Sequence, residues 1–151
     1  MLTELSTEII DSMLVNQRYG RLACAADDRI LVEPMMYYYD GNAIWGLTRE
    51  GTKTQLLRKN PRVAFEIDEI LRPGVWRSVV IEGIFEELHD DDRDYALYLL
   101  KHHKIPVFAD EKLGYPGEIA PPDFKVVYPV VYRIQIKQKT GRAYTHQLFD
   151  N

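Results

Sequence analysis

A single cysteine among 151 residues excludes a disulfide within the chain. Its setting, Cys24 in the apolar run RLACAAD, reads as a buried, inert thiol and not as a nucleophile or redox centre. No apolar run approaches the ~20 residues that a membrane-spanning helix needs. The acidic amino terminus MLTELSTEIIDSML also lacks the basic-then-apolar order of a secretory signal, so a cytoplasmic protein with no membrane partner is expected. Cationic excess is missing too: 19 Lys and Arg stand against 23 Asp and Glu, for a net charge of −4. That balance argues against a nucleic-acid partner held by broad electrostatics. Any anion has to be held locally. The nine glycines nowhere form GxxxxGK[ST], which argues against a P-loop nucleoside triphosphatase. His102-His103 has no carboxylate or cysteine at ligand spacing, and HDDDRD lacks the glycine and distal glutamate of a calcium loop. Both read as the ends of one helix, and no metal is expected.

What is present is an ordinary globular composition, 46% hydrophobic and 28% charged, at a length that suits one domain spanning residues 1–151. Leu5, Ile9, Ile10, Met13 and Leu14 recur at helical spacing behind Ser6 or Thr7, which predicts a capped helix over residues 6–16. Three antiparallel strands are expected near residues 21–26, 29–39 and 42–48, separated by Asp27-Asp28 and by Asp40-Gly41, whose residues tolerate positive φ. Residues 52–59 read as two helical turns with Leu56 and Leu57 inward, ended by Pro61. Alternation at Val63, Phe65 and Ile67 gives a fourth strand, LRPG a loop, and VWRSVVIEGIFEEL a long fifth strand with Gly83 as a bulge or close approach. HDDDRDYALYLLKHH reads as a helix capped by Asp91 or Asp92, with Tyr95, Leu99 and Leu100 buried. Residues 105–123, with four of the eight prolines, read as a long loop, and KVVYPVVYRIQIKQ as the last strand. The expected fold is mostly antiparallel β, a small barrel with peripheral helices.

The chemically informative stretch is LTREGTKTQLLRKNPRV, residues 47–63. A helix beginning at EGTK offers unpaired N–H groups, the positive end of a dipole, a threonine hydroxyl and a lysine within one turn, a combination that suits a phosphate. Taken locally, Arg49, Lys53, Arg58 and Lys59 are equally the solvated face of a short helix.

A longer register adds to this. The order of a DG hairpin, a strand, GTK, eight residues from Lys53 to Pro61, NPRV and then WRSVVIEG resembles the pyridoxamine 5′-phosphate oxidase-like flavin-binding split barrels. It is most similar to the branch of nitroimidazole-resistance and general-stress proteins, and the likeness is clearest over residues 10–90. The resemblance implies a split β-barrel, flavin mononucleotide (FMN) as cofactor, and a homodimer with flavin sites between subunits. It also implies oxidoreductase chemistry, nitroreductase-like or otherwise, on a small-molecule substrate with NAD(P)H or another donor. Gly51, Thr52 and Lys53 would hold the phosphate, with Thr48 just before them. Pro34, Met35, Met36 and Tyr37 would run beside the isoalloxazine ring, and Trp76, Arg77 and Ser78 would supply a polar contact, Ser78 foremost. TGRAYTH is similar to the family's closing turn and adds Arg142 and His146 as candidates. Gly46-Leu47 stands where many relatives carry a polar pair, which keeps open a non-catalytic flavin or haem carrier or sensor on the same barrel. The MMYYY run and Trp45 fit either sheet packing or a cofactor platform.

Overall fold

The computed structural model describes residues 1–103, 105 and 130–146. The elements are β1 (Leu2–Glu4), α1 (Thr7–Asn16), β2 (Tyr19–Ala26), β3 (Arg29–Met36), β4 (Tyr38–Tyr39), β5 (Ala43–Thr48), α2 (Thr52–Lys59), β6 (Arg62–Arg72), β7 (Val75–Glu87), α3 (Asp90–His102) and β8 (Val130–Thr145). All strand pairs are antiparallel, in the order β3-β2-β6-β7-β8-β5-β4, with β1 added on β8. The sheet's two edge strands, β3 and β4, are neighbours in the chain, joined through Tyr37. The chain therefore leaves one edge and arrives at the other, which curls the sheet into a half-barrel, the split-barrel architecture.

The predicted continuous strand over 29–39 is thus two strands. Met36 still pairs with Tyr19 of β2, but the Tyr37 N–H bonds the Arg18 carbonyl at 3.0 Å, and Tyr38 pairs with Trp45 of β5. Alternation continues through the switch, so no sequence signal marks it.

Turn chemistry behaves as its residues dictate. Asp27 and Asp28 both adopt positive φ, 51° and 61°. The Asp40 carboxylate accepts from the N–H groups of Asn42 and Ala43, and Gly41 takes φ 97°. The LRPG loop is shorter than expected, because β6 runs on through Arg72 with a register shift at Ile70/Arg72 and Gly74 makes the turn at φ 78°. Gly83 sits at a register shift against β8.

Two cores result. Inside the barrel, Leu14, Leu22, Ile44, Leu57, Phe65, Ile67, Val79, Ile81, Tyr132 and Ile134 are shut from solvent, each apolar side chain contributing on the order of 1.5–3 kcal/mol by burial. On the other face of β5 and β8, α3 covers Trp45, Leu47 and Val131 with Ala96 and Leu100. Ser6 caps α1 as expected, but Ile9 is exposed, with Ile10, Met13 and Leu14 inward. In α3, which begins at Asp90 behind His89, Tyr95 remains exposed, its ring nearly perpendicular to that of Trp45, and Ala96 takes the buried position. Residues 106–129, which hold most of the expected loop and the start of the expected last strand, lie outside the described residues. β8 then continues past Gln138 to Thr145, because its far end pairs with both β1 and β7. No helix among the described residues is long and apolar enough to cross a membrane.

Candidate functional site

α2 starts where β5 ends. Gly51 caps it in an extended conformation, and its N–H and carbonyl are both engaged by the Thr54 hydroxyl at 2.9 Å. Thr54, buried, is therefore the hydroxyl that closes the turn, while Thr52 is exposed. The next N–H groups, of Thr52 and Lys53, lie in the first turn, where a helix supplies them no acceptor of its own. Thr48 is buried at the end of β5, and a side chain at Gly51 would meet no atom within 4 Å.

The three cations of α2 have different surroundings. Arg58 is clamped by Glu50 and by Glu87 at 3.0 Å, and Lys59 pairs with Asp27, all at the exposed rim. Lys53 instead turns inward across to β3, where its Nζ lies 2.8 Å from Glu33 Oε2; 12% of the lysine side chain is exposed against 46% of the glutamate's. Cys24 lies close by. Burial pushes its thiol pKa up, while Lys53 and Glu33 act on it in opposite directions.

Along β3 the side chains alternate. Met35 and Tyr37 point into the barrel, the Tyr37 hydroxyl donating to the Leu14 carbonyl at 2.6 Å and its ring meeting Phe65 edge-on. Burial holds the Tyr37 phenol well above its ordinary pKa. Pro34 is exposed and Met36 half-buried on the other face. Among the described residues β3 is an edge strand that pairs with β2 alone, so alternate residues turn their N–H and C=O groups away from β2.

Trp76, Arg77 and Ser78 lie on β7, three strand spacings from β3, or about 14 Å across the sheet. Trp76 stacks on Tyr144, its centroid 5.8 Å away, and Tyr144 on His146 at 6.2 Å. Arg77 donates to Glu69 at 2.6 Å and, as the main influence, holds that carboxyl below its usual range. Ser78 stands between Asp68 and Arg142 in the strand register. The structure thus gathers the candidates into two groups, β3 with the start of α2, and β7 with the end of β8, which do not converge within one chain.

Gly46 also has a physical reason. Its register partner Tyr132 lays its ring across it, so that a Cβ at 46 would lie 2.4 Å from the Tyr132 hydroxyl. A side chain from the neighbouring strand fills the place of the missing one.

A cavity of about 650 Å³ opens at the strand switch, walled by Leu14 of α1 and Arg18 just after it, by Tyr37, Tyr38 and Asp40, and by His103 beyond α3. Tyr38 and His103 stack at 3.8 Å between centroids and 14° between planes. Asp40 is committed to Trp45 Nε1 at 2.9 Å and to its own turn. Arg18, Tyr38 and His103 make no side-chain hydrogen bond or ion pair to other described residues. The sequence reading singles out Tyr38 only within the MMYYY run, reads His103 as a helix end and passes over Arg18, and no local pattern brings the three together, since the cavity exists only where the switch meets α3.

The family model described as pyridoxamine 5′-phosphate oxidase matches residues 6–143. A FAD-binding protein of Mesorhizobium loti is 32% identical, with a TM-score of 0.71 over 96% of this chain and 99% of that one. A structure described as a candidate 5-nitroimidazole antibiotic resistance protein of Bacteroides thetaiotaomicron is 16% identical, with a TM-score of 0.70 over 95% and 88%. An uncharacterized protein of Rhizobium meliloti (strain 1021) is 32% identical over 84 residues, 56% of each chain, so the match spans little more than half of that relative.

Proposed function

The chain belongs to the pyridoxamine 5′-phosphate oxidase-like family, and from that membership we propose that it is a flavin-dependent oxidoreductase acting on a small molecule as a homodimer. The observation that carries this is Lys53, turned inward at the first turn of α2 against the edge strand, while the other two cations of that helix are tied down at the rim. A flavin phosphate at the start of α2 would receive the free N–H groups of Thr52 and Lys53, the lysine ammonium and the helix dipole. Glu33 would have to release Lys53 to the phosphate, or hold it in place beside it.

From there the ring would run along β3, meeting backbone groups at the open edge and the side chains of Pro34 and Met36, since Met35 and Tyr37 are spent on the core. The bound flavin supplies hydride and electron chemistry; the chain's task is to bind, orient and shield it. Because Trp76–Ser78 lie about 14 Å across the sheet, they would reach a flavin on β3 only from a second copy, which is the reason to assign the site to a dimer. The cavity beside Tyr37 is the substrate's place in this reading: its size lies within the range of ordinary small-molecule sites, and Tyr38 stacked on His103 offers a flat wall. In this reading the electron donor would be a reduced nicotinamide.

The test is a spectral titration of the purified chain with FMN, FAD and riboflavin, followed by NADPH under anaerobic conditions. Bound flavin bleached by NADPH supports the enzyme. Flavin that binds without bleaching supports a carrier, and no binding of any of the three overturns the reading. Because the Mesorhizobium loti protein is described as FAD-binding whereas the resemblance implies FMN, the FMN-to-FAD affinity ratio is the deciding measurement for the cofactor.

A further inference from the structure

The wall of the cavity at the strand switch has spent some of its polar groups and kept others. Asp40, the one acid in that wall, gives Oδ1 to the N–H groups of Asn42 and Ala43 and Oδ2 to Trp45 Nε1. The side-chain amides of Asn16 and Gln17 donate to Ser12 and to Glu69, each at 3.3 Å. The Tyr37 hydroxyl goes to the Leu14 carbonyl, and that of Tyr39 to Asp11 and the Gly41 carbonyl. What remains is rich in donors. The Arg18 guanidinium, the Tyr38 hydroxyl and the His103 ring have no side-chain hydrogen bond to another described residue, and the guanidinium can only donate.

Arg18 is held where it can be used. It directly follows Gln17, the C-cap of α1, and its carbonyl accepts the Tyr37 N–H at 3.0 Å, so its backbone is pinned to the switch while its side chain is exposed. Tyr38 and His103 add a stacked aromatic pair with 14° between planes, against which a ligand ring can pack. Burial, with Asp40 and Tyr95 adding to it, raises the Tyr38 pKa, which keeps that hydroxyl protonated and able to donate.

Resting on the reading that this cavity is the substrate's place, we propose that its ligand is a flat aromatic monocarboxylate, the ring against the Tyr38–His103 pair and the carboxylate on Arg18. A guanidinium meets a carboxylate through two parallel hydrogen bonds. A phosphate dianion fits less well, because α1 ends at this wall with no basic residue in its last turn. The negative end of its dipole and the Asp40 charge therefore stand beside the guanidinium. A cationic ligand finds no carboxylate free to receive it.

Isothermal titration of the whole chain, with FMN bound and without it, tests this with naphthoate as the flat monocarboxylate. Naphthylmethanol keeps the rings without the charge, naphthyl phosphate is the dianion, and cyclohexanecarboxylate keeps the charge without the flat ring. Naphthoate should bind about tenfold or more tightly than each of these. Arg18→Gln, at an exposed position, should weaken naphthoate by about tenfold and leave naphthylmethanol unchanged. Tyr38→Leu should weaken both by several-fold, and Tyr38→Phe, which keeps the ring, should restore naphthylmethanol. Equal affinity for acid and alcohol, or naphthoate binding indifferent to Arg18→Gln, would make Arg18 a mere complement to the helix end and overturns the inference. Tightest binding of the phosphate, or no binding of any probe, overturns it as well. In each of those cases a flavin that binds and is bleached by NADPH leaves the proposed function standing. A chain that takes naphthoate through Arg18 but binds no flavin keeps the cavity's specificity and sinks the oxidoreductase.

Discussion

Lys53 is the residue on which the phosphate assignment turns, and its neighbours supply the controls. Hydrogen bonds to charged groups contribute roughly 1.5–3 kcal/mol, so Lys53→Met should weaken FMN binding by about 10- to 150-fold while leaving riboflavin nearly unaffected. Arg58→Met and Lys59→Met, whose charges are already matched by Glu50, Glu87 and Asp27, should change either affinity by a few-fold at most through screened charge. Equal small losses in all three would return the helix to a solvated face. Glu33→Gln discriminates further. If the carboxylate competes with the phosphate, FMN binds several-fold more tightly; if it positions the lysine, binding weakens. Gly46 and Tyr132 form a second residue-scale test. Gly46→Val forces the Tyr132 ring aside and should cost about 1–3 kcal/mol in urea unfolding by overpacking. Tyr132→Phe removes a hydroxyl with no partner among the described residues and should be neutral or slightly stabilising.

At the scale of elements, the close approach at Gly83 is the sharpest constraint: a Cβ there would lie 2.4 Å from the Gln135 carbonyl oxygen and 2.8 Å from Ile134 Cγ2. Gly83→Ala should therefore lower the unfolding midpoint more than Ser6→Ala, which loses one cap worth about 1 kcal/mol; the reverse order would show that β7 and β8 can shift apart cheaply. Gly83 was legible in the sequence because glycine inside a β run has few other uses. So were Ser6, Asp40-Gly41 and the 52–59 helix, all fixed by local chemistry. The break at Tyr37 was not, since alternation passes through it unchanged and only the identity of the pairing strand differs. Strand β1 was equally hidden: all three of its residues are exposed, leaving no pattern to read, and β8 alone makes it a strand. Tyr95 was misplaced because helical period fixes a face only to within one residue, and Ala96 is small enough to let α3 approach β5. In the site, the GTK turn could be recognised from its type and spacing, but Glu33 opposite Lys53 depends on a contact between α2 and an edge strand that no spacing encodes. The cavity depends on three separate segments meeting.

For the molecule as a whole, acid should unfold the chain by protonating carboxylates that the fold holds ionised. Lys139 and Tyr39 hold Asp11 below its usual pKa against an opposing cost of burial, Arg77 does the same for Glu69, and Arg58 for Glu87. Groups depressed in this way stabilise above their unfolded pKa and lose that contribution as pH falls through the folded one. Urea midpoints should thus fall steeply below about pH 4. Glu66, raised to about 7, works the other way in the single chain, so Glu66→Gln should flatten any decline between about pH 5 and pH 7 while leaving the acid limb intact; an unchanged profile would argue that this carboxyl is ordinarily solvated. Strand order has a bearing on synthesis as well. β8 lies between β7 and β5 and also holds β1, yet it follows every other described strand along the chain. Until residue 130 has left the ribosome, the β4–β5 hairpin has no strand to dock against and β7 shows a bare edge. Local structure such as α1 and the β2–β3 hairpin can form during translation, but the sheet can only be sealed after it. A nascent chain stalled before β8 should therefore remain protease-sensitive across β5 and recruit holdase chaperones, and release of the last strand should protect both ends of the sheet in one step.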